Sequence, residues 1–244
     1  MAAGQGPDTT APTVSSIQLA PAAPELRSAP AVSPPLARSR GGAYERSWKR
    51  ASDLVLGSVL LVLLLPLIAL VAAAVLLISG WPVLYGSDRK GAGGGTFRMW
   101  KFRTMVTDAD VQREQWRRTH PRLAVELAES WKVTGDPRIT ALGRFLRRSS
   151  LDELPQFWNV LRGEMSLVGP RPYLSREQLD PVLAEAILRV RPGLTGPFQV
   201  RGRNGISPQM RMEVEAAYTR KVRLLSDAGY LLRTAAPLLH MDGR

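Results

Sequence analysis

The longest apolar run in the chain, Leu54 to Ser79, holds 26 residues without one charge: LVLGSVLLVLLLPLIALVAAAVLLIS. A straight helix of that length is roughly 39 Å, enough to cross a bilayer core of about 30 Å with some tilt. Pro66 stands mid-run, where it removes a backbone hydrogen bond and crowds the preceding turn, so a kink is expected there. The flanks are basic on both sides, with Arg46, Lys49 and Arg50 before the run and Arg89, Lys90, Arg98, Lys101 and Arg103 after it. The positive-inside tendency then puts both ends in the cytoplasm and favours a bent hairpin dipping into one leaflet, each half reaching roughly 18 Å. A kinked spanning helix is the alternative, because prolines occur in spanning helices. Trp48 and Trp81 bracket the run as interfacial anchors do.

Beyond the run the period changes. Pro82–Tyr85 and Thr96–Met105 read as strands around a glycine-rich hairpin link, Gly86–Gly95. Alternation in FRMWKFRTM puts Phe97, Met99, Lys101 and Arg103 on one face, so the two cations project together; a solvated edge-strand face has the same pattern. Gly91-Ala92-Gly93 is no dinucleotide fingerprint, since no helix pattern follows it. Thr107–Thr119 reads as a helix with Asp108 and Asp110 in its first turn, and Pro121 opens another ending near Ser130. Gly135-Asp136-Pro137 marks a turn, Thr140 an N-cap, and Ala141–Arg148 a short basic helix. A helix over Glu177–Val190, with Pro181 as its alternative first turn, precedes the turn Pro192–Gly196 and a short strand, Phe198–Arg201. Helices over Met210–Leu224 and Ser226–Ala235 finish a helix-rich α+β chain without an internal repeat.

Composition divides the chain further. Residues 1–43 hold seven prolines and no aromatic residue, too little apolar surface to offset chain entropy, and read as a disordered tail. The apolar run lies too far in for a secretory signal. Residues 44–81 then form the membrane element and 82–244 a cytosol-facing domain. Of the net charge of +12, the tail carries +1, leaving a strongly basic body suited to nucleic acid, an anionic membrane surface or phosphorylated substrates. With no cysteine and only His120 and His240, thiolate metal sites, zinc hydrolysis and a Ser-His-Asp triad are poorly supported.

The densest chemistry lies in SSLDELPQFWNVLRGEMSLVGPRP, residues 149–172. Adjacent carboxylates Asp152 and Glu153 follow Arg147 and Arg148, and Arg171 is held between Pro170 and Pro172. That is a candidate site for anionic chemistry. Ser150-Leu151-Asp152-Glu153 also fits a helix capping box, with Glu153 reaching back to the Ser150 N–H.

The order Lys49-Arg50-x-x-Asp53, the proline-broken run, KFRTM, GDPRIT, GRFLRRSSLDELPQ, MSLVGPRP and PGLTG resembles that of bacterial sugar transferases, the monotopic polyprenyl-phosphate phosphoglycosyl transferases. The likeness covers residues 49 to about 234 and is closest to the family's minimal architecture. It implies a re-entrant membrane helix, interfacial helices and a small α/β body on the cytoplasmic face of the cell membrane. It also implies transfer of a sugar phosphate from a nucleotide diphosphate sugar, usually UDP-linked, to polyprenol phosphate, with Mg²⁺ required and UMP released. Asp152 matches the family's nucleophile, and Glu153 the second dyad member, linked to metal and proton handling. Lys101, Arg147 and Arg171, the last framed by Pro170 and Pro172, fall where the family places phosphate and nucleotide contacts. Two positions depart: Leu65-Pro66 stands where many small members have Ser-Pro, and Glu215 stands where the family usually has aspartate.

Physical chemistry fits the same reaction. Attack on a diphosphate needs neutralised charge, an in-line nucleophile and a leaving group held by cations. A carboxylate nucleophile splits transfer between a soluble and a lipid substrate into two steps. Mg²⁺, a hard cation, suits dyad oxygens together with substrate phosphates. The competing classes are a membrane-tethered nucleic-acid binding protein and a membrane scaffold. The first needs stacking platforms or a recognition helix, and the sequence has no such motif.

Overall fold

A computed structural model of the protein describes Tyr44 and residues 48–119, 136–201 and 207–239. The tail 1–43, the helix expected after Pro121, and both histidines lie outside these residues.

Helix α1, Lys49–Ser79, runs through Pro66. Its composition is apolar on every side, so sequence periodicity marks no docking face. The fold selects one. Asp53, Gly57, Val71 and Val75 are buried, and Leu60, Leu64, Leu67 and Ile68 continue the stripe at three- and four-residue steps. The first half packs on Phe157, Val160 and Met165, the second on Phe102 and Leu146. The remaining face is bare, with Val55, Leu63 and Leu77 exposed at 68, 72 and 85%. By length and composition α1 suffices to cross a membrane.

Both ends of α1 are tied to the folded body. Arg50 donates to the carbonyls of Val160 at 2.6 Å and Leu161 at 2.9 Å, and Lys49 meets Asp227 at 2.5 Å. Asp53 accepts from the Ser166 hydroxyl and the Leu167 N–H, both at 3.0 Å. At the other end the Arg103 guanidinium donates to the carbonyls of Ser79 and Gly80. A cation there also complements the negative end of the helix dipole.

Strands β1 (Leu84–Lys90) and β2 (Thr96–Phe102) form an antiparallel hairpin, with Tyr85 opposite Lys101 and Arg89 opposite Phe97. The expected link was longer than the observed one. Pairing extends through Gly86, whose missing Cβ leaves room for the side chains of Arg98 and Trp100, so that glycine is a packing site and not a turn. Helix α2 (Ala109–Thr119) starts two residues later than its pattern suggested. Helix α3 (Ala141–Arg148) has the expected bounds, and the Thr140 hydroxyl accepts from the Gly143 N–H at 2.9 Å.

The capping box does not form. Ser150 adopts a left-handed backbone at φ 57° with no side-chain cap, and Leu151–Glu153 makes a single 3₁₀ turn before helix α4 (Gln156–Arg162). Two further readings also need correction. The glycine- and proline-rich Pro192–Gly196 is not a turn: Gly193–Thr195 is strand β4, paired parallel to β3 (Ser166–Val168). A Cβ on Gly193 would lie 2.0 Å from the Gly169 nitrogen, so these glycines serve close backbone approach. Phe198–Arg201 is not a strand but part of helix α6 (Pro197–Arg201), begun by proline at its first position. Before β4 comes α5 (Pro181–Leu188), capped by Asp180 and so starting at the later of the two expected points. Helices α7 (Pro208–Arg220) and α8 (Leu224–Leu239) follow. Among the described residues the fold is α+β and helix-rich, with two small sheets.

Candidate active site

Three segments bring the site together. The first is β2, whose free edge is bound by a side chain: fully buried Asn159 accepts from the Trp100 N–H at 3.1 Å and donates to the Arg98 carbonyl at 2.8 Å. That bond pins β2 to α4 and fixes Lys101, the next residue along. The second segment is α3. A Cβ on Gly143 would lie 2.0 Å from the Thr104 carbonyl oxygen, so only glycine lets α3 lie this close to the end of β2. One turn on, Arg147 donates through Nε to the Thr104 hydroxyl at 2.9 Å. The third is the turn that follows α3, where left-handed Ser150 reverses the chain and presents Asp152 and Glu153. A non-glycine residue in that region costs on the order of 1 kcal/mol or more and persists where packing over-determines it.

Lys101 bridges the two carboxylates, with Nζ 2.6 Å from Glu153 Oε1 and 3.5 Å from Asp152 Oδ2. Asp152 is 7% exposed. Burial raises its pKa above the usual carboxylate range, and Lys101 opposes that shift; the Glu153 charge adds to it and Arg147 opposes it. The expected pairing of Lys101 with Arg103 on one face does not occur. The strand stops at Phe102, and Arg103 turns to the end of α1.

Arg171 comes from the loop after β3. Pro170 and Pro172 are buried and shape that loop: the Pro170 carbonyl accepts from the Gly193 N–H at 2.8 Å, and the Pro172 carbonyl from Arg89 Nη1 at 3.0 Å. Arg89 escaped the sequence reading, which used it only as flanking charge. Its pKa is lowered to about 10, by burial and then by the neighbouring Arg171 charge, with Glu153 among the groups opposing the shift. Arg89 thus belongs electrostatically with Arg171 and the dyad.

Glu215, on α7, also proves to be part of this frame. It is fully buried, accepts from the Arg171 backbone N–H at 3.1 Å, and accepts from the Tyr173 hydroxyl at 2.5 Å. The Arg171 and Arg211 guanidiniums stand 6.0 and 5.8 Å from the Tyr173 ring centre. Burial pushes the Glu215 carboxyl up to about 7, against the pull of Tyr173, Arg171 and Arg211. Tyr173, directly after the GPRP motif, was the available sequence signal.

Among the described residues no group of three or more carboxylates or histidines stands ready to hold a metal. Two adjacent carboxylates of hard oxygen nonetheless fit Mg²⁺, which keeps waters and binds through one or two carboxylates plus substrate phosphates.

The sequence that carries this site has counterparts among known proteins. The bacterial sugar transferase family model matches residues 44–241, and the chain belongs to that family. It is 40% identical over 200 residues to the UDP-galactose-lipid carrier transferase of Erwinia amylovora, covering 81% of this chain and 42% of that protein. It is 41% identical over 187 residues to the exopolysaccharide production protein ExoY of Rhizobium meliloti, covering 76% and 83%. The UDP-glucose:undecaprenyl-phosphate glucose-1-phosphate transferase of Escherichia coli is 37% identical over 207 residues, covering 81% and 41%. The chain therefore spans less than half the length of the Erwinia and Escherichia relatives and most of ExoY.

Glu215 generates a pH prediction. Its folded-state pKa of about 7 lies above its ordinary 4.5, so between those values the folded protein holds a proton that the unfolded chain has released. Stability contributed by this group is therefore present at about pH 4.5 and falls as pH rises toward 7. Thermal melts across that range should show a fall in wild type that is smaller in Glu215→Gln, and identical slopes would contradict the assignment.

Proposed function

We propose that this protein is a polyprenyl-phosphate phosphoglycosyl transferase that moves a sugar phosphate from a UDP-sugar to polyprenol phosphate at the cytoplasmic face of the cell membrane. The observation that carries the reading is Asp152, buried beside Glu153 and under Lys101, with Arg147 acting on it. The names of the similar proteins, which act on UDP-sugars and undecaprenyl phosphate, support the same substrate classes.

In this reading Asp152 attacks the phosphorus that carries the sugar. An acyl phosphate bond forms, the diphosphate P–O bond breaks, and UMP leaves with that electron pair. The phosphate oxygen of the polyprenol phosphate then attacks the same phosphorus and releases the Asp152 carboxylate. Burial keeps the Asp152 carboxylate weakly solvated, which favours attack, and Lys101 and Arg147 favour its ionised form against the upward shift that burial causes. Arg171 holds a phosphate by paired N–H donors, and Glu215 and Tyr173 orient it through the loop. Asp152 and Glu153 would hold Mg²⁺, which supplies charge neutralisation to the diphosphate. The same reading makes the membrane arrangement monotopic, with α1 entering and leaving on one side, and the bonds from both ends of α1 to one body support it.

Two outcomes follow. Asp152→Asn is nearly isosteric, so UMP release should fall to background while the melting temperature moves by no more than about 4 °C. Retained turnover in that variant would remove Asp152 as nucleophile. Cysteines placed at Ser47 and Ser87 of this cysteine-free chain should both resist an impermeant thiol reagent added outside intact cells; labelling of one alone means that α1 spans.

A further inference from the structure

The reaction above needs a second substrate with an apolar tail, and the site has two separate sets of cations. Arg171 and Arg89 belong to the loop after β3 and to β1. Arg103 and Arg147 belong instead to the residue after β2 and to α3. Arg103 bonds to the last turn of α1, and Arg147 bonds to Thr104, the next residue along.

A cavity of about 240 Å³ lies there, lined by Ile78 and Ser79 from the end of α1, by Met105 and Val106 after β2, and by Arg103 and Thr140. Its α1 wall belongs to the most uncovered part of the helix: Leu77 and Ile78 are 85 and 67% exposed, and Trp81 just beyond is 79% exposed. Arg103 itself is only 6% exposed. One of its nitrogens, Nη2, satisfies the carbonyls of Ser79 and Gly80, whereas Nε is buried without a partner. Among the described residues no carboxylate is paired with Arg103. A buried guanidinium served only by helix-end carbonyls retains capacity for an anion.

Residues at the cavity wall are linked to the carboxylates through their neighbours. Thr104 follows Arg103 and accepts from Arg147 Nε at 2.9 Å, Thr140 caps the helix that carries Arg147, and Arg147 acts electrostatically on Asp152. We propose that the polyprenyl phosphate enters through this cavity, its first apolar units against Ile78, Met105 and Val106 and its phosphate on Arg103, then Arg147. The proposal rests on the transferase reading for its ligand and goes beyond it in assigning the acceptor site.

Val106→Trp fills the cavity from its apolar wall and leaves both arginines in the chain. The KM for polyprenyl phosphate should rise by roughly tenfold, a loss of about 1.4 kcal/mol, while the KM for the UDP-sugar stays within about twofold. An unchanged KM for the lipid, or an equal rise in both, overturns the assignment, as it would if Arg103 only caps α1. A direct measurement needs neither the variant nor the sugar: a short-chain polyprenyl phosphate bearing a benzophenone next to its phosphate is photolysed with the full chain in detergent micelles. Labels on residues 78–79 or 103–107 support the site; labels confined elsewhere overturn it. If no UDP-sugar yields UMP with the wild-type protein, the donor chemistry fails while the crosslink still decides the lipid site.

Discussion

Two carboxylates adjacent in sequence, one of them almost fully buried, do not share a site without a cation between them, and Lys101 is that cation. Everything around it serves that contact. Asn159 binds the open edge of β2 so that Lys101 points at the dyad, and Gly143 lets α3 close on Thr104 so that Arg147 arrives from the other segment. The backward turn at Ser150 brings Asp152 and Glu153 under the ammonium group. A like-charge pair neutralised in this way is also a place where a divalent cation can take over the lysine's role.

The long apolar helix α1 belongs to the same construction. Its docked stripe covers two core clusters in succession, and its last carbonyls are held by Arg103, two residues beyond Lys101. The helix and the lysine that bridges the dyad are thus connected through a single strand end. A lipid phosphate arriving along that end has a short chain of cations to follow toward Asp152.

Much of this was legible in the sequence, where local chemistry matched local structure. The uncharged run, the α3 bounds, the Thr140 cap and the hairpin rest on signals spanning only a few residues. So does the candidate dyad, because acidic and basic residues crowd one short stretch. What was not legible depended on partners distant in the chain. Glycines at 86 and 193 look like turns, yet each admits a neighbouring segment into a strand. Ser150-x-x-Glu153 looks like a capping box, but Lys101, more than fifty residues upstream, claims Glu153. Glu215 carried no local signal, since its partners Arg171 and Tyr173 lie 44 and 42 residues away. The docking stripe of α1 was equally hidden, because an evenly apolar helix gives no periodicity to read.

The central claim is that the Asp152 carboxylate itself carries the sugar phosphate. The most direct measurement is the intact mass of the purified full chain incubated with Mg²⁺ and UDP-glucose or UDP-galactose, without polyprenol phosphate. The account predicts release of UMP together with a mass gain of one hexose phosphate, removed by hydroxylamine and mapped to Asp152. Such an adduct on another residue, or UMP release that requires the lipid and leaves the protein mass unchanged, would contradict it.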